Sequence, residues 1–395
     1  MRCAIVHYWL LGMRGGEKVV EAFCRLFPDA DIFTLFYDPD RVSPAIRSHR
    51  VKASFLNPFQ RHYRALLPLM PMALESFDLR SYDLVISSES GPAKGVILSS
   101  NTRHICYCHS PMRYLWDLYP AYLNEWTHSG LKRHAMRLFA NYLRLWDYAA
   151  AARVDSFMAN SQNVQRRIWK TYRRASEVIY PPVDIESFYW AAAEDYYLVV
   201  SELVAYKRIE DAVRCFSQTK RRLKIAGSGP EYSRLRSMAG PTIEFCGRVP
   251  DTELRELYAR CRAVVLPGEE DFGIVAVEAL ASGKPVIGLG KGGVLESTST
   301  DYARAGFLYD QPGDGPLGSA VDRFERFEKS ISSSAIQKLS NRFSEERFRQ
   351  EVSAVLFDAR RNDDFPPALD ADATGSSSRP GQDRFYDMFT ASSRQ

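Results

Sequence analysis

Residues 263–287 read AVVLPGEEDFGIVAVEALASGKPVI. Ala263–Leu266 is a short apolar run stopped by Pro267 and Gly268. Three acids follow, and from Ile274 a helix-length apolar block runs to Gly283, after which Pro285 opens a second apolar run. Strand, loop, helix and strand in so few residues form the unit of a parallel sheet covered by helices. The same alternation extends both ways. Far upstream lie CAIVHYWLL, DLVISSES, HICYCHS and SFMANS, nearer are YYLVVSELV, LKIAGSG and IEFCGRV, and GFLY lies downstream. The proline pair in Tyr180-Pro181-Pro182-Val183-Asp184 interrupts the series and marks a linker. The expectation is α/β: two Rossmann-like domains, residues 1–185 and 186–343, then a helix over 344–360 with acids in its first turn. From 361 to 395 the composition turns to Asp, Pro, Ser and Gly, with too little apolar surface to offset chain entropy, which predicts a flexible tail.

In an open α/β sheet, ligands bind beyond the carboxyl ends of the strands, where Pro267–Gly273 falls. A helix beginning near Gly273 turns free backbone N–H groups and its positive dipole end toward that edge, which suits an anion. Glu270 and Glu278 are eight residues apart, and on a helix that spacing brings them to nearly one face. Two carboxylates so placed suit the hexose and the ribose of a nucleotide sugar, one on either side of its diphosphate. Read alone, Glu278 is equally a solvated helix carboxylate, although Val277, Ala279 and Leu280 around it make an unpaired charge costly. Gly15-Gly16-Glu17 follows the first apolar run and opens a helix, so backbone there approaches a phosphate or sugar closely.

Composition narrows the partners. Net charge is +4, but residues 1–190 hold 24 Lys and Arg against 17 Asp and Glu, and the remainder 28 against 31. A basic first half suits an acidic partner such as an anionic membrane surface, and no nucleic-acid-reading motif accompanies it. His128–Trp146 adds Lys132, Arg133, Arg137 and Arg144 to apolar residues at helical spacing, which fits a helix lying on anionic lipid or an ordinary surface helix. No apolar run reaches membrane-spanning length and the first lacks a cleavage site, so the expectation is a cytoplasmic protein with peripheral membrane contact. Seven cysteines without CxxC spacing read as reduced thiols, and Cys106, Cys108 and His109 find no second ligand pair for a metal. Gly227-Ser228-Gly229-Pro230 lacks the third glycine of a dinucleotide fingerprint. Asp38-Pro39-Asp40 spells a metal-binding DxD pair without its strand context and reads as a turn.

The segment P-G-E-E-D-F-G-I-V-A-V-E-A-L-A-S-G-K-P-V-I resembles the E-x7-E signature of retaining glycosyltransferases of family 4. In the same order as in that family stand G-M-R-G-G-E-K-V at 12–19, C-H-S-P at 108–111, A-N-S at 159–161, Y-P-P-V-D at 180–184 and Y-K-R-I at 206–209. Over residues 1–355 the resemblance implies a GT-B architecture, with domains facing across a cleft. The wording M-R-G-G-E-K, Y-K-R and G-E-E-D-F-G most resembles bacterial O-antigen and exopolysaccharide mannosyltransferases.

The resemblance implies transfer of a hexose, mannose from GDP-mannose, to a lipid-linked saccharide with retention, using no cofactor and no protein-bound metal. Glu278 would hold the donor ribose and Glu270 would lie beside the transferred sugar, to which Phe272 and Gly273 would offer backbone N–H groups. Lys207 would neutralise the diphosphate, assisted by Arg208, while Gly15 and Gly16 would approach the donor from the first domain. His109 would lie near the sugar, although a lone histidine at a strand end is as readily structural. Glu17, Arg113, Tyr114, Trp116 and Asp117 would line the acceptor side. One position departs from the pattern: many members carry an arginine five residues before this lysine, where this chain has Glu202. Arg208 or Arg248 then takes over the phosphate. A nucleotide-sugar epimerase and a donor-binding protein without turnover share the architecture and stand as alternatives.

Overall fold

The computed structural model describes residues 1–120, 123, 130–298 and 304–357; the tail expected over 361–395 lies outside them. Met1–Val352 forms one compact unit, and a second, from Ser353, is described only through the last residues of the helix Glu345–Phe357.

Within the first unit lie two parallel sheets. The first takes β1 Cys3–His7, β2 Asp31–Thr34, β3 Val51–Ala53, β4 Leu84–Glu89, β5 Arg103–Cys108, β6 Ser156–Ala159 and β7 Ser176–Val178, in the order β3-β2-β1-β4-β5-β6-β7. The second takes β8 Tyr197–Val200, β9 Leu223–Ala226, β10 Ile243–Gly247, β11 Val264–Leu266, β12 Val286–Leu289 and β13 Gly306–Tyr309, in the order β10-β9-β8-β11-β12-β13. Every strand pair is parallel. These are the two Rossmann-like domains expected. In each, the strand order reverses beside the first strand, between β1 and β4 and between β8 and β11, and a crevice opens at that switch.

Strands covered on both faces read as unbroken apolar runs, and β1, β4, β11 and β12 are buried throughout. The run Cys3–Leu11 nevertheless leaves the ladder at His7, because Leu10 turns to donate to the Phe36 carbonyl at 2.7 Å and pairs with Tyr37. The helix Gly15–Leu26 follows and buries Val19, Val20, Phe23 and Cys24. Asp38 caps the turn Pro39–Arg41, accepting from the Asp40 N–H at 3.2 Å, in keeping with a turn. All seven cysteines are free thiols, buried except for the half-buried Cys246.

The two domains are tied together beyond the linker. The Val183 N–H donates to the Phe343 carbonyl at 2.9 Å and Arg347 to the Tyr180 carbonyl at 2.6 Å. Phe348, at the start of the last helix, packs edge-on against Phe23 and Tyr107. After the second domain, the helix Glu345–Phe357 thus returns to the first.

Candidate active site

The acidic loop after β11 is built onto the backbone of Lys207. A Cβ at Gly268 would lie 2.7 Å from the Lys207 carbonyl oxygen, so only glycine fits, and the loop descends directly on that residue. The Lys207 ammonium then meets the Glu270 carboxylate in an ion pair, both side chains largely buried. Burial is the largest influence and would depress the Lys207 amine, but Glu270, with Tyr206 and Asp271 behind it, raises the pKa on balance, which keeps the charge. Glu270 itself precedes the helix: its backbone bridges to Gly292 and its carbonyl accepts from the Gly293 N–H at 2.9 Å. The helix Ile274–Ala281 starts only after Gly273, whose φ of 84° turns the chain. The two glutamates therefore do not share one helix face as their spacing suggested. Phe272 is buried against Val183, Val277 and Phe343.

Glu278 is buried inside that helix at 5% exposure and is not a surface acid. Tyr258 donates its phenol to the carboxylate at 2.8 Å, and Lys18 of the first domain reaches it at 3.3 Å. Burial, with Glu278 alongside, pushes the Tyr258 phenol far up and keeps it a donor. Beside them is a cavity of about 160 Å³ whose lining includes Lys18, Arg25, Asp184, Phe188, Arg255 and Glu278.

On the first domain, Glu17 is buried and closes a capping box on the Arg14 N–H at 3.1 Å, with His7 Nε2 at 3.9 Å from its other oxygen. A Cβ on Gly15 would lie 4.0 Å from Ile274 of the second domain, and one on Gly16 3.6 Å from His109 Nε2. His109 meets the Ser88 hydroxyl at 2.9 Å; burial, and secondarily His7, pulls its pKa down to about 3. It is a neutral imidazole at working pH, able to exchange hydrogen bonds but not to supply a cation.

Several assigned residues sit elsewhere than expected. Trp116 donates to the buried Asp147 at 2.8 Å and Tyr114 bonds the Met112 sulfur at 3.0 Å, so both pack into the first-domain core. Arg113 does reach the cleft, 3.4 Å from Asp271, and Asp117 lies with it, 3.4 Å from Arg113 and 3.3 Å from Arg167. Arg208 donates to Asp211 at 2.8 Å at the start of its own helix, and Arg248 is exposed. The cation facing Glu202 is instead Arg14, at 3.2 Å across the cleft.

Sequence reading passed over Lys18, Tyr258, Arg167 and Asp271. Arg167 spans Glu269 at 2.6 Å and Asp271 at 2.5 Å, while Glu296 accepts from the Gln162 and Asn163 N–H groups at 2.8 and 2.9 Å. Lys18 stands within G-G-E-K, directly after Glu17, and could have been read from that motif. Tyr258 carries no such signal, being one apolar position of a helix. Among the described residues, no group of three or more His, Cys, Asp or Glu side chains is gathered to hold a metal.

Two family models match successive stretches of the chain that overlap at their junction: Glycosyltransferase Family 4 over residues 13–187 and Glycosyl transferases group 1 over residues 182–346. Alpha-1,3/1,6-mannosyltransferase ALG2 of Kluyveromyces lactis is 25% identical over 331 residues, 66% of this chain and 63% of its own. An uncharacterized glycosyltransferase, MJ1178 of Methanocaldococcus jannaschii, is 26% identical over 158 residues, 39% of this chain and 45% of its own. The chain thus spans about half the length of the curated relatives it matches. Among solved structures, Anabaena Alr3699/HepE in complex with UDP superposes with a TM-score of 0.63 at 16% identity, covering 90% of this chain and 99% of that one. With its motifs in family order on two facing parallel sheets, this chain is a GT-B protein of the glycosyltransferase family 4 kind.

Proposed function

We propose that the chain is a retaining hexosyltransferase that moves mannose from GDP-mannose to a hydroxyl of a lipid-linked saccharide, in polysaccharide assembly on the cytoplasmic face of a membrane. The observation that carries this reading is the pairing of Lys207 with Glu270 at the foot of the helix that buries Glu278. A nucleotide-sugar donor is supported by Anabaena HepE, solved with UDP and with UDP-glucose. Mannose is supported by the matches to ALG2 of Kluyveromyces lactis and of Homo sapiens, at 25% and 24% identity.

In this reading Glu278 takes the ribose hydroxyls, and Lys207 turns from Glu270 to the diphosphate with the N–H groups of Phe272 and Gly273 nearby. The bond from the anomeric carbon to the diphosphate breaks as the acceptor oxygen bonds to the same face. The acceptor proton passes to the departing phosphate oxygen, and Lys207 stabilises the charge left there. Glu270, freed of its partner, steadies positive charge developing on the sugar. Inversion would instead need a base on the opposite face. The first-domain candidates fit that poorly, since Glu17 is spent on the Arg14 N–H and His109 is tied to Ser88.

Product NMR tests the stereochemistry: an α-linked product from the α-linked donor is expected, and a β-linked one overturns retention. Because protein cations and backbone N–H groups are assigned to the diphosphate, turnover is expected to be the same after exhaustive EDTA treatment. Loss of activity restored by Mg²⁺ or Mn²⁺ would show that a divalent ion carries that charge. No helix among the described residues is long and apolar enough to cross a membrane, so this reading has membrane contact made from the surface.

A further inference from the structure

The helix Gly130–Ala152 is apolar on two faces. Its inner side buries Ala140, Leu143 and Ala150. On the solvent side Leu138, Tyr142, Leu145 and Tyr148 follow one another at spacings of four, three and three, with Leu138 at 75% and Leu145 at 67% exposure. Those intervals return to one stripe of a helix. A surface helix ordinarily turns polar residues outward, and a contiguous apolar patch of this kind marks a binding surface.

The patch continues onto a second element. Leu138, Phe139 and Tyr142 face Pro68, Leu69 and Met72 across an open groove. Leu69 ends the segment Asn57–Leu69, on which Phe59 is also exposed, and Phe55 is exposed just before it. Residues 55–72 contain Arg61, His62 and Arg64 and no acid. In the helix the only acid is Asp147, which is buried and engaged by Lys94, Trp116 and Tyr172. Arg137 is exposed beside Leu138.

We infer that this face seats the protein on an anionic phospholipid bilayer, its apolar side chains entering the acyl boundary and its arginines meeting the headgroups. Charge decides against a second copy as the occupant. A two-fold interface sets the same patch against itself, and here that would oppose cations with no exposed acid on either of these two segments to receive them. The inference deepens the reading above, in which the acceptor is lipid-linked. The docking helix is also wired to the cleft: Arg144 donates to the Leu115 carbonyl at 2.7 Å and Asp147 holds Trp116, within the loop whose Arg113 reaches Asp271.

Flotation of the full chain with phosphatidylcholine vesicles, with and without phosphatidylglycerol, tests it. The wild type is expected to float with the anionic vesicles and to dissociate as salt rises. Replacing Leu138, Tyr142 and Leu145 together with serine, all solvent-facing, should weaken association roughly tenfold or more. Replacing Arg61, Arg64 and Arg137 with glutamine should abolish the preference for anionic over neutral vesicles. Unchanged flotation of the serine variant overturns the inference. So does sedimentation showing a wild-type dimer that the serine variant splits while flotation is unaltered, which would make the face an interface between copies. Calorimetric titration with GDP-mannose, UDP-glucose and ADP-glucose keeps the two proposals apart: a wild type that floats but binds none of them refutes the transferase reading and leaves the docking face standing.

Discussion

Lys207→Ala is expected to lower turnover by about 10²- to 10³-fold, the loss typical of removing one preorganised donor from a developing oxyanion. The neighbouring arginines are already committed: Arg208 is turned to Asp211, and Arg113 and Arg167 are engaged with Asp271. The charge is held on a backbone fixed by the close approach of Gly268, so a flexible neighbour cannot easily reproduce its position. The loss should fall on kcat more than on KM, because phosphate charge grows as the sugar departs. Lys207→Arg separates charge from shape: a guanidinium restores the cation but not the compact tetrahedral donor, so partial recovery is expected. Single-turnover rates with calorimetric donor affinities measure both. A variant that raises KM alone would assign Lys207 to ground-state binding and remove it from the chemical step.

The second large effect is expected at Glu278. Glu278→Gln keeps a side chain that accepts from Tyr258 but discards the charge, and nucleotide affinity should fall about ten- to a hundredfold, the worth of a charged hydrogen bond at 1.5–3 kcal/mol. Lys18→Ala serves as the internal control. Its ammonium is nearly half exposed, so its pairing with Glu278 adds little to stability, and any change in nucleotide affinity reports on competition for the carboxylate. Equal affinities for wild type and Glu278→Gln would leave the buried glutamate a structural partner of Tyr258 and nothing more.

The architecture was legible in sequence where burial on both faces leaves continuous apolar runs. The stretch 263–287 announces strand, loop, helix and strand without ambiguity: β11 falls inside it and β12 begins there. Where apolar residues serve packing other than the ladder, the reading failed. Tyr8 to Leu11 look like more strand and are instead a bent stretch that keeps only an isolated bridge, from Leu10 to Tyr37. The candidate site was legible as residues but not as geometry. Glu270, Glu278 and Lys207 could be named, yet their arrangement depended on the positive φ at Gly273, which moves Glu270 off the helix. Partners across the cleft were the least accessible. Lys18 and Glu278 lie 260 positions apart, and Arg167 and Asp271 are separated by 104, so no periodicity connects them. Trp116 was misjudged for the same reason, since an aromatic after a strand end reads alike whether it faces ligand or, as here, a buried aspartate.

The cleft's carboxylates already possess their counterions. Glu202 has Arg14, Glu278 has Lys18, and Glu269 and Asp271 share Arg113 and Arg167, so four acids of one domain are matched by four bases of the other. The cavity beside Glu278, at about 160 Å³, is smaller than the roughly 300–1,000 Å³ usual for a ligand site. In the proposed reading, a nucleotide sugar entering such a cleft would act as an eluting anion on an ion exchanger: it would take a base only by releasing the acid that held it. Its net attraction is the difference between two pairings rather than the whole of one. The exchange also runs in reverse. Once the sugar has left, the protein's own acids compete with the spent diphosphate for the same bases, and the column regenerates itself for the next cycle.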